Sequence, residues 1–163
     1  MDRGTAASVV YEAGPTGFGL ARALAGAGIE CVVAAPSKLL PVPGSRVKTD
    51  RNDARHLAEL VLTGRVTPVR VPSPAEEAAR SLVRARDDAR GDLMRARQRL
   101  SKLLLRQGVV WDRAAWTGAH LAWLGRQRMD DPVLQVTFDN DLAVVRQVMA
   151  RRDWLDEPVK FLV

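Results

Sequence analysis

Hydrophobic residues follow two patterns along the chain, short β-branched runs in the first half and helical spacing in the second. Residues 8–13 form an apolar run before a Gly- and Pro-rich turn, which predicts a buried strand. Residues 18–27, rich in Ala and Leu, predict a helix that ends near Gly28. A second apolar strand is predicted over 29–35. The β-α-β order predicts a parallel strand pair and therefore an α/β fold.

The middle of the chain predicts a loop, a helix and one more strand. Residues 36–48 carry several prolines and are expected to form the loop. Either Thr49 or Asp50 can cap a helix that runs to about Thr63. Residues 66–71 predict a third strand, interrupted by proline and therefore at a sheet edge.

The second half of the chain is dominated by one long amphipathic helix, predicted from Ala75 to about Gln107. Good helix formers fill this stretch, only Gly91 interrupts them, and Gly108 follows as a stop. A heptad repeat along the helix predicts that it pairs, within the chain or with a second copy. One position of the repeat holds Ala79, Arg86, Leu93 and Leu100, and the other holds Leu82, Ala89, Ala96 and Leu103.

Two further helices are predicted beyond the long one, from Trp116 to Arg126 and from Val133 to Arg151. Tryptophans near the first of them are expected to pack in the interior. Residues 154–163 show no clear period, and the tail over 152–163 is expected to be irregular.

Composition and charge narrow the class of partner. The 163 residues are 47% hydrophobic and 27% charged, which is typical of a folded domain. Lys and Arg number 25 against 19 Asp and Glu, a net charge of +6 that favours a polyanion such as nucleic acid. The sequence contains neither a membrane-spanning apolar run nor a secretory signal pattern, so we expect a cytoplasmic protein. One cysteine, Cys31, excludes an internal disulfide, and one cysteine with two distant histidines, His56 and His120, excludes structural zinc.

Basic side chains concentrate in the predicted loop and in the second half of the long helix. This pattern favours nucleic-acid contact, but a solvated face with internal ion pairs, such as Asp87 with Arg90 or Asp92 with Arg95, is the open alternative. The candidate nucleic-acid-binding residues are Lys38, Arg46, Lys48, Arg51, Arg95, Arg99, Lys102 and Arg106.

Three carboxylates are the candidate catalytic and metal-binding residues. Glu12 falls at the end of the first predicted strand, and Asp50 and Asp53 are three residues apart in a predicted helix. Carboxylates in such positions can hold divalent cations for phosphodiester chemistry. Asp50 and Asp53 can also form a helix-capping box, an alternative that spacing alone favours.

The Gly-rich turn over 14–19 also has the form of a phosphate loop at a helix N-terminus. A dinucleotide site needs an acidic residue, or an Arg, after the second strand, which here ends in Ala34, Ala35 and Pro36. A dinucleotide-binding domain is therefore the weakest of the functional hypotheses.

Three segments in order, residues 11–20, 31–37 and 46–54, are followed by the Arg-rich helix. Together they resemble the DEDD insertion-sequence transposases of the IS110 group, over about residues 8–150. The resemblance implies a ribonuclease-H-like, Holliday-junction-resolvase-like fold, an Asp-Glu-Asp-Asp tetrad that binds Mg²⁺, and recombination guided by a structured RNA. It matches Glu12 to the tetrad's Glu and Asp50 and Asp53 to its last two Asp, which favours catalysis over capping.

Two departures from the family pattern shape the remaining expectations. The family's first Asp precedes the Glu motif on its own strand, whereas only Met1 to Ala7 precede it here, and the family's later Ser-bearing domain has no counterpart in this sequence. We therefore expect a partial ribonuclease-H-like domain over 1–72, a helical and candidate coiled-coil region over 73–151, and a tail over 152–163.

From the resemblance, the expected partners are DNA, a structured guide RNA and a second copy of the chain through the long helix. We expect a truncated transposase that is inactive in isolation. A non-catalytic nucleic-acid-binding module is the alternative.

Overall fold

The computed structural model describes residues 8–39 and 50–162. They divide into two compact units, with the boundary between Ser73 and Pro74. The protein is mixed α/β, as the sequence predicts, with a two-stranded parallel sheet followed by a long helix and further helices. Among the described residues, no helix is long and apolar enough to cross a membrane.

The first unit is built on a β-α-β element. Strand β1 (Val9–Glu12) and strand β2 (Cys31–Ala34) pair in parallel, and helix α1 (Gly19–Gly26) connects them. Glu12 lies opposite Ala34 in this register. The strand pair and its connecting helix confirm the prediction, because neighbouring parallel strands need a crossover connection and the helical segment supplies it.

Helix α2 (Asp50–Leu62) packs against β1. It ends at Leu62, and Gly64, two residues further on, has a φ of 65°, the left-handed conformation that glycine adopts without strain. The amide of Arg65 donates to the carbonyl of Leu60 at 2.8 Å and closes the end of the helix.

The predicted strand over 66–71 is wrong, since this segment makes only one isolated antiparallel bridge, between Ala34 and Pro68. Val69 donates to the carbonyl of Val33 at 2.7 Å, and Ala35 donates to that of Thr67 at 3.1 Å. Proline lacks an amide hydrogen, so Pro68 cannot extend these bonds into a ladder.

The second unit is a helical assembly in which α3 (Pro74–Arg106) packs along α5 (Pro132–Val159), with the short α4 (Gly118–Leu124) between them in sequence. The predicted pairing of the long helix within the chain is confirmed, because the heptad residues of its middle and second half are buried. The core consists of Leu93, Ala96, Leu100, Leu103, Leu104, Leu124, Phe138, Leu142 and Val145.

The expectation of an irregular tail is wrong over 152–159, because α5 continues to Val159. Leu155 is buried in this last part of the helix. Its contacts with the rest of the unit stabilise helical turns that have no sequence period of their own. Pro158 is tolerated because it lies in the final turn, close to where the helix ends.

Candidate functional site

Glu12, the first candidate carboxylate, is the last residue of β1, and its side chain is exposed. The next amide, that of Ala13, donates to the carbonyl of Ala34 at 2.9 Å and extends the strand pairing by one step. The turn that follows contains Gly17, which has a φ of 70°. Residue by residue, the backbone therefore places Glu12 at the carboxyl end of a parallel strand, where α/β proteins commonly position functional groups.

Asp50 and Asp53 lie in the first turn of α2, where Asp50 is exposed and Asp53 is half-buried. Their spacing puts them on the same side of the helix. Asp50 itself lies within the helix, so it does not occupy the capping position, and Thr49 lies outside the described residues. Carboxylates are also favourable at a helix N-terminus for electrostatic reasons, so their position is compatible with a structural role as well.

The structure brings the elements that carry these carboxylates together, since α2 packs against β1. Carboxylate oxygens are the ligands that hard divalent cations prefer. Within residues 8–39 and 50–162, however, no three or more His, Cys, Asp or Glu side chains are grouped so that they could hold a metal ion. The donor chemistry therefore suits a divalent cation, but the arrangement is not an assembled metal site.

The predicted basic residues of the first unit are only partly described. Lys38 ends a short 3₁₀ turn (Pro36–Lys38) and is exposed, and Arg51 is exposed in the first turn of α2. Arg46 and Lys48 lie outside the described residues.

The four predicted basic residues of α3 are all exposed and follow one stripe of the helix, at spacings of four, three and four. They are Arg95, Arg99, Lys102 and Arg106. Arg95 is paired with Asp92 at 2.6 Å, as the alternative of internal ion pairs predicted. The other suggested pair, Asp87 with Arg90, is replaced by a contact between Asp87 and Arg86 at 3.3 Å. The ion-pair alternative therefore holds for Arg95, whereas nucleic-acid contact by the other three residues of the basic stripe stays a prediction.

The heptad position held by Arg86 is explained by an ion pair between α3 and α5. The Nε of Arg86 donates to Asp156 at 2.7 Å, and each side chain is about one-third exposed. This hydrogen bond lowers the pKa of Asp156 below its ordinary value and raises that of Arg86. A charged residue is thus accommodated at the end of an apolar seam because its partner comes from the opposing helix.

An aromatic cluster surrounds the buried imidazole of His120. The rings of Trp111, Trp116 and Trp123 have centroids 5.3, 5.1 and 5.6 Å from that of His120. The amide of Trp116 donates to Nδ1 of His120 at 2.9 Å. The tryptophans near α4 are half-buried, and Trp116 and Trp123 pack against the core, so the predicted interior packing holds only in part. Helix α4 begins two residues after Trp116.

A groove that the sequence analysis missed lies along α3 in the helical unit. Its volume is about 870 Å³, and its lining includes Arg90, Met94, Arg97, Lys102, Trp116 and Arg152. The spacing of the α3 members is visible in the sequence, but Trp116 and Arg152 come from a loop and from α5. Only their approach in three dimensions identifies the groove.

The protein therefore combines a small α/β unit, with carboxylates at the end of a strand and at the start of the neighbouring helix, with a unit of paired helices. The longest of these helices, α3, carries a basic stripe. The chain belongs to the DEDD transposase family of the IS110 type, whose sequence profile, described as a transposase, matches residues 3–108. This match confirms the resemblance drawn from the motifs.

Relatives with transposase names support the same assignment. Protein y4qE of Sinorhizobium fredii is 43% identical over 136 residues, which are 83% of this chain and 35% of that protein. The transposase for insertion sequence element IS1533 of Leptospira borgpetersenii is 38% identical over 139 residues, 83% of this chain and 40% of that protein. The chain thus spans roughly two fifths or less of the length of these relatives. No solved structure shows significant similarity to it.

Proposed function

We propose that this chain is part of a transposase that cleaves DNA and transfers strands, with Glu12, Asp50 and Asp53 as its catalytic carboxylates. Membership of the DEDD family is the observation that carries the proposal. The structure supports it by placing Glu12 at the end of β1 and the two aspartates at the start of α2, which packs against that strand.

Mg²⁺ is the proposed cofactor, on the basis of the family and of the all-oxygen donor set. Mg²⁺ is usually bound by one or two carboxylates together with phosphates of the substrate and water. The described carboxylates are not grouped as a metal site by themselves, so phosphates of the substrate would have to complete the coordination of the ion. We expect the ion and DNA to strengthen each other's binding.

The proposed partners are DNA and a structured guide RNA. The exposed basic stripe of α3 and the side chains of Lys38 and Arg51 have the charge to contact phosphates. A second copy of the chain is a further proposed partner, and it would have to use a face of α3 other than the apolar seam, since α5 of the same chain covers that seam.

Binding of the purified chain to duplex DNA, measured with Mg²⁺ and with EDTA, tests the carboxylate assignment. We expect Mg²⁺ to tighten binding about fivefold or more, which is the scale of a modest coupling between two ligands. This tightening should disappear in Asp53→Asn and in Asp50→Asn. Glu59→Gln is the matched control, because Glu59 is an exposed carboxylate of the same helix whose partner is Arg55 at 3.2 Å.

Equal affinity with Mg²⁺ and with EDTA in the parent chain would overturn the assignment of these carboxylates and favour the non-catalytic binding module. The inactivity of the isolated chain stays a separate prediction. Magnesium-dependent cleavage that is lost in Asp53→Ala would contradict the expected inactivity and confirm the role of Asp53.

A further inference from the structure

The groove along α3 carries an excess of positive charge. Four basic side chains line it, Arg90, Arg97, Lys102 and Arg152, against the single carboxylate of Asp87. Arg152 is paired with Asp153 and approaches Asp156 at 3.7 Å, so its charge is largely compensated. Within the part of the chain that the structure describes, Arg90, Arg97 and Lys102 have no ion-pair partner. The groove is therefore suited to an anion.

Arg97 is the most informative of these residues because its guanidinium is partly buried and lacks an acceptor. Its Nε is buried and makes no hydrogen bond with any described residue. Burial, followed by the nearby charge of Arg152, lowers the pKa of Arg97. A buried donor without an acceptor costs free energy. Because Nε itself is inaccessible, a phosphate oxygen in the groove would supply a charge-assisted acceptor to the terminal nitrogens of the guanidinium.

The indole ring of Trp116 lies beside the guanidinium of Arg97. The guanidinium carbon of Arg97 lies 5.0 Å from the centroid of the Trp116 ring. Trp116 has a φ of 66°, a left-handed conformation that is strained for a bulky residue. The hydrogen bond from its amide to His120 helps to hold it there. Strain of this kind is often retained where a side chain must be held in position for function.

The groove also has an apolar wall, because Met94 is 59% exposed and lies in the same lining as Trp116. An indole and a guanidinium plane are surfaces on which nucleobases stack, and an exposed thioether makes favourable apolar contacts with aromatic rings. The volume of about 870 Å³ is that of a small-ligand pocket and suits one or two nucleotides better than a duplex.

We propose that this groove binds a single-stranded segment of nucleic acid, with a phosphate on Arg97 and an adjacent base against Met94 and the Arg97–Trp116 pair. This inference does not rest on the assignment of Glu12, Asp50 and Asp53, since all of its residues belong to the helical unit. The groove is distinct from the exposed basic stripe of α3, and Lys102 is the residue that the groove and the stripe share.

Fluorescence anisotropy of the full chain with labelled single strands of about 12 nucleotides tests the proposal. DNA and RNA strands and the corresponding DNA duplex are compared, all in EDTA so that the result is independent of the metal hypothesis. Met94→Glu places a negative charge on the groove wall at an exposed position. Val136→Glu is the control, because Val136 is 70% exposed on α5, is absent from the groove lining and undergoes the same change of charge.

We expect Met94→Glu to weaken single-strand binding about tenfold, the scale of one lost base stack, while Val136→Glu changes it by about twofold or less. A second pair compares Arg97→Gln with Arg84→Gln, which removes the same charge from an exposed position of α3 that is not part of the groove lining. Circular dichroism checks the helical content. If Arg97→Gln fails to fold, the Met94 pair decides.

Equal losses in Met94→Glu and Val136→Glu would overturn the proposal, because the binding would then report net charge alone. Duplex binding as tight as single-strand binding, with the same sensitivity to Met94→Glu, would also overturn it. Preferential binding of either the DNA or the RNA single strand supports the groove and identifies which sugar it accepts.

Discussion

At the residue scale, His120 packs within the aromatic cluster and also accepts a hydrogen bond from the backbone of Trp116. Its Nδ1 accepts the amide hydrogen of Trp116, so this nitrogen carries no proton in the folded chain. Burial of the ring lowers the pKa of His120 below its ordinary value. The neutral imidazole is therefore the form that the folded helical unit stabilises.

Acidification is expected to destabilise the helical unit through His120. In the unfolded chain the histidine pKa is about 6.5, so the unfolded state binds the proton more readily than the folded state. The stabilisation is fully present above about pH 6.5 and is lost as the pH falls through the lowered folded pKa. We expect Tm, measured by circular dichroism, to fall between about pH 7.5 and pH 5.

The variant His120→Gln keeps an acceptor near Trp116 but cannot titrate. Its Tm should be lower at neutral pH and should change less with pH over the same range. A pH dependence equal to that of the parent chain would exclude His120 as the cause.

At the element scale, the pairing of α3 with α5 supplies the core of the helical unit. Leu100, Phe138 and Val145 are almost completely buried between these helices. The apolar seam explains why a 33-residue helix is stable here, because packing of a helix face contributes more than the intrinsic preference of its residues.

Leu100→Ala is expected to lower the free energy of unfolding by about 2–5 kcal/mol, because it leaves a cavity in a well-packed core. Leu105→Ala is the control, since Leu105 lies on the same helix and is 70% exposed. Its effect should stay within about 0.5 kcal/mol. Urea unfolding of both variants measures the difference, and equal effects would show that the seam is not the core of this unit.

At the scale of the whole molecule, the net charge of +6 and the basic surfaces determine how the chain meets a polyanion. Each phosphate neutralised by Lys or Arg releases counterions, so affinity depends steeply on salt. This contribution does not require the carboxylates.

The logarithm of the single-strand binding constant should therefore fall linearly with the logarithm of salt concentration, with a slope of roughly −3 if four phosphates are contacted. Glu12→Gln should leave this slope unchanged in EDTA, whereas Lys102→Gln should make it shallower by about 0.7. Anisotropy titrations at several salt concentrations measure both. A slope near zero would contradict nucleic-acid binding through the basic surfaces.

Local features of the chain predicted much of the secondary structure. The long helix was expected from Ala75 to about Gln107 and runs from Pro74 to Arg106, because helix formers and a terminal glycine are properties of neighbouring residues. The prediction of a strand over 66–71 was wrong, since Pro68 interrupts its hydrogen bonds. The prediction of an irregular tail was wrong over 152–159, because burial of Leu155 supports helical turns that lack a local pattern.

The sequence by itself determined the family, the parallel strand pair, the heptad seam and the positions of Glu12, Asp50 and Asp53 on their elements. Only the tertiary structure decided that the seam is covered by α5, that Arg86 pairs with Asp156, and that Arg97, Trp116 and Arg152 line one groove. The physical reason is how far apart in the sequence the interacting residues lie. Strand and helix patterns arise from residues a few positions apart, whereas these contacts join α3 to segments far along the chain, whose approach depends on packing of the whole helical unit.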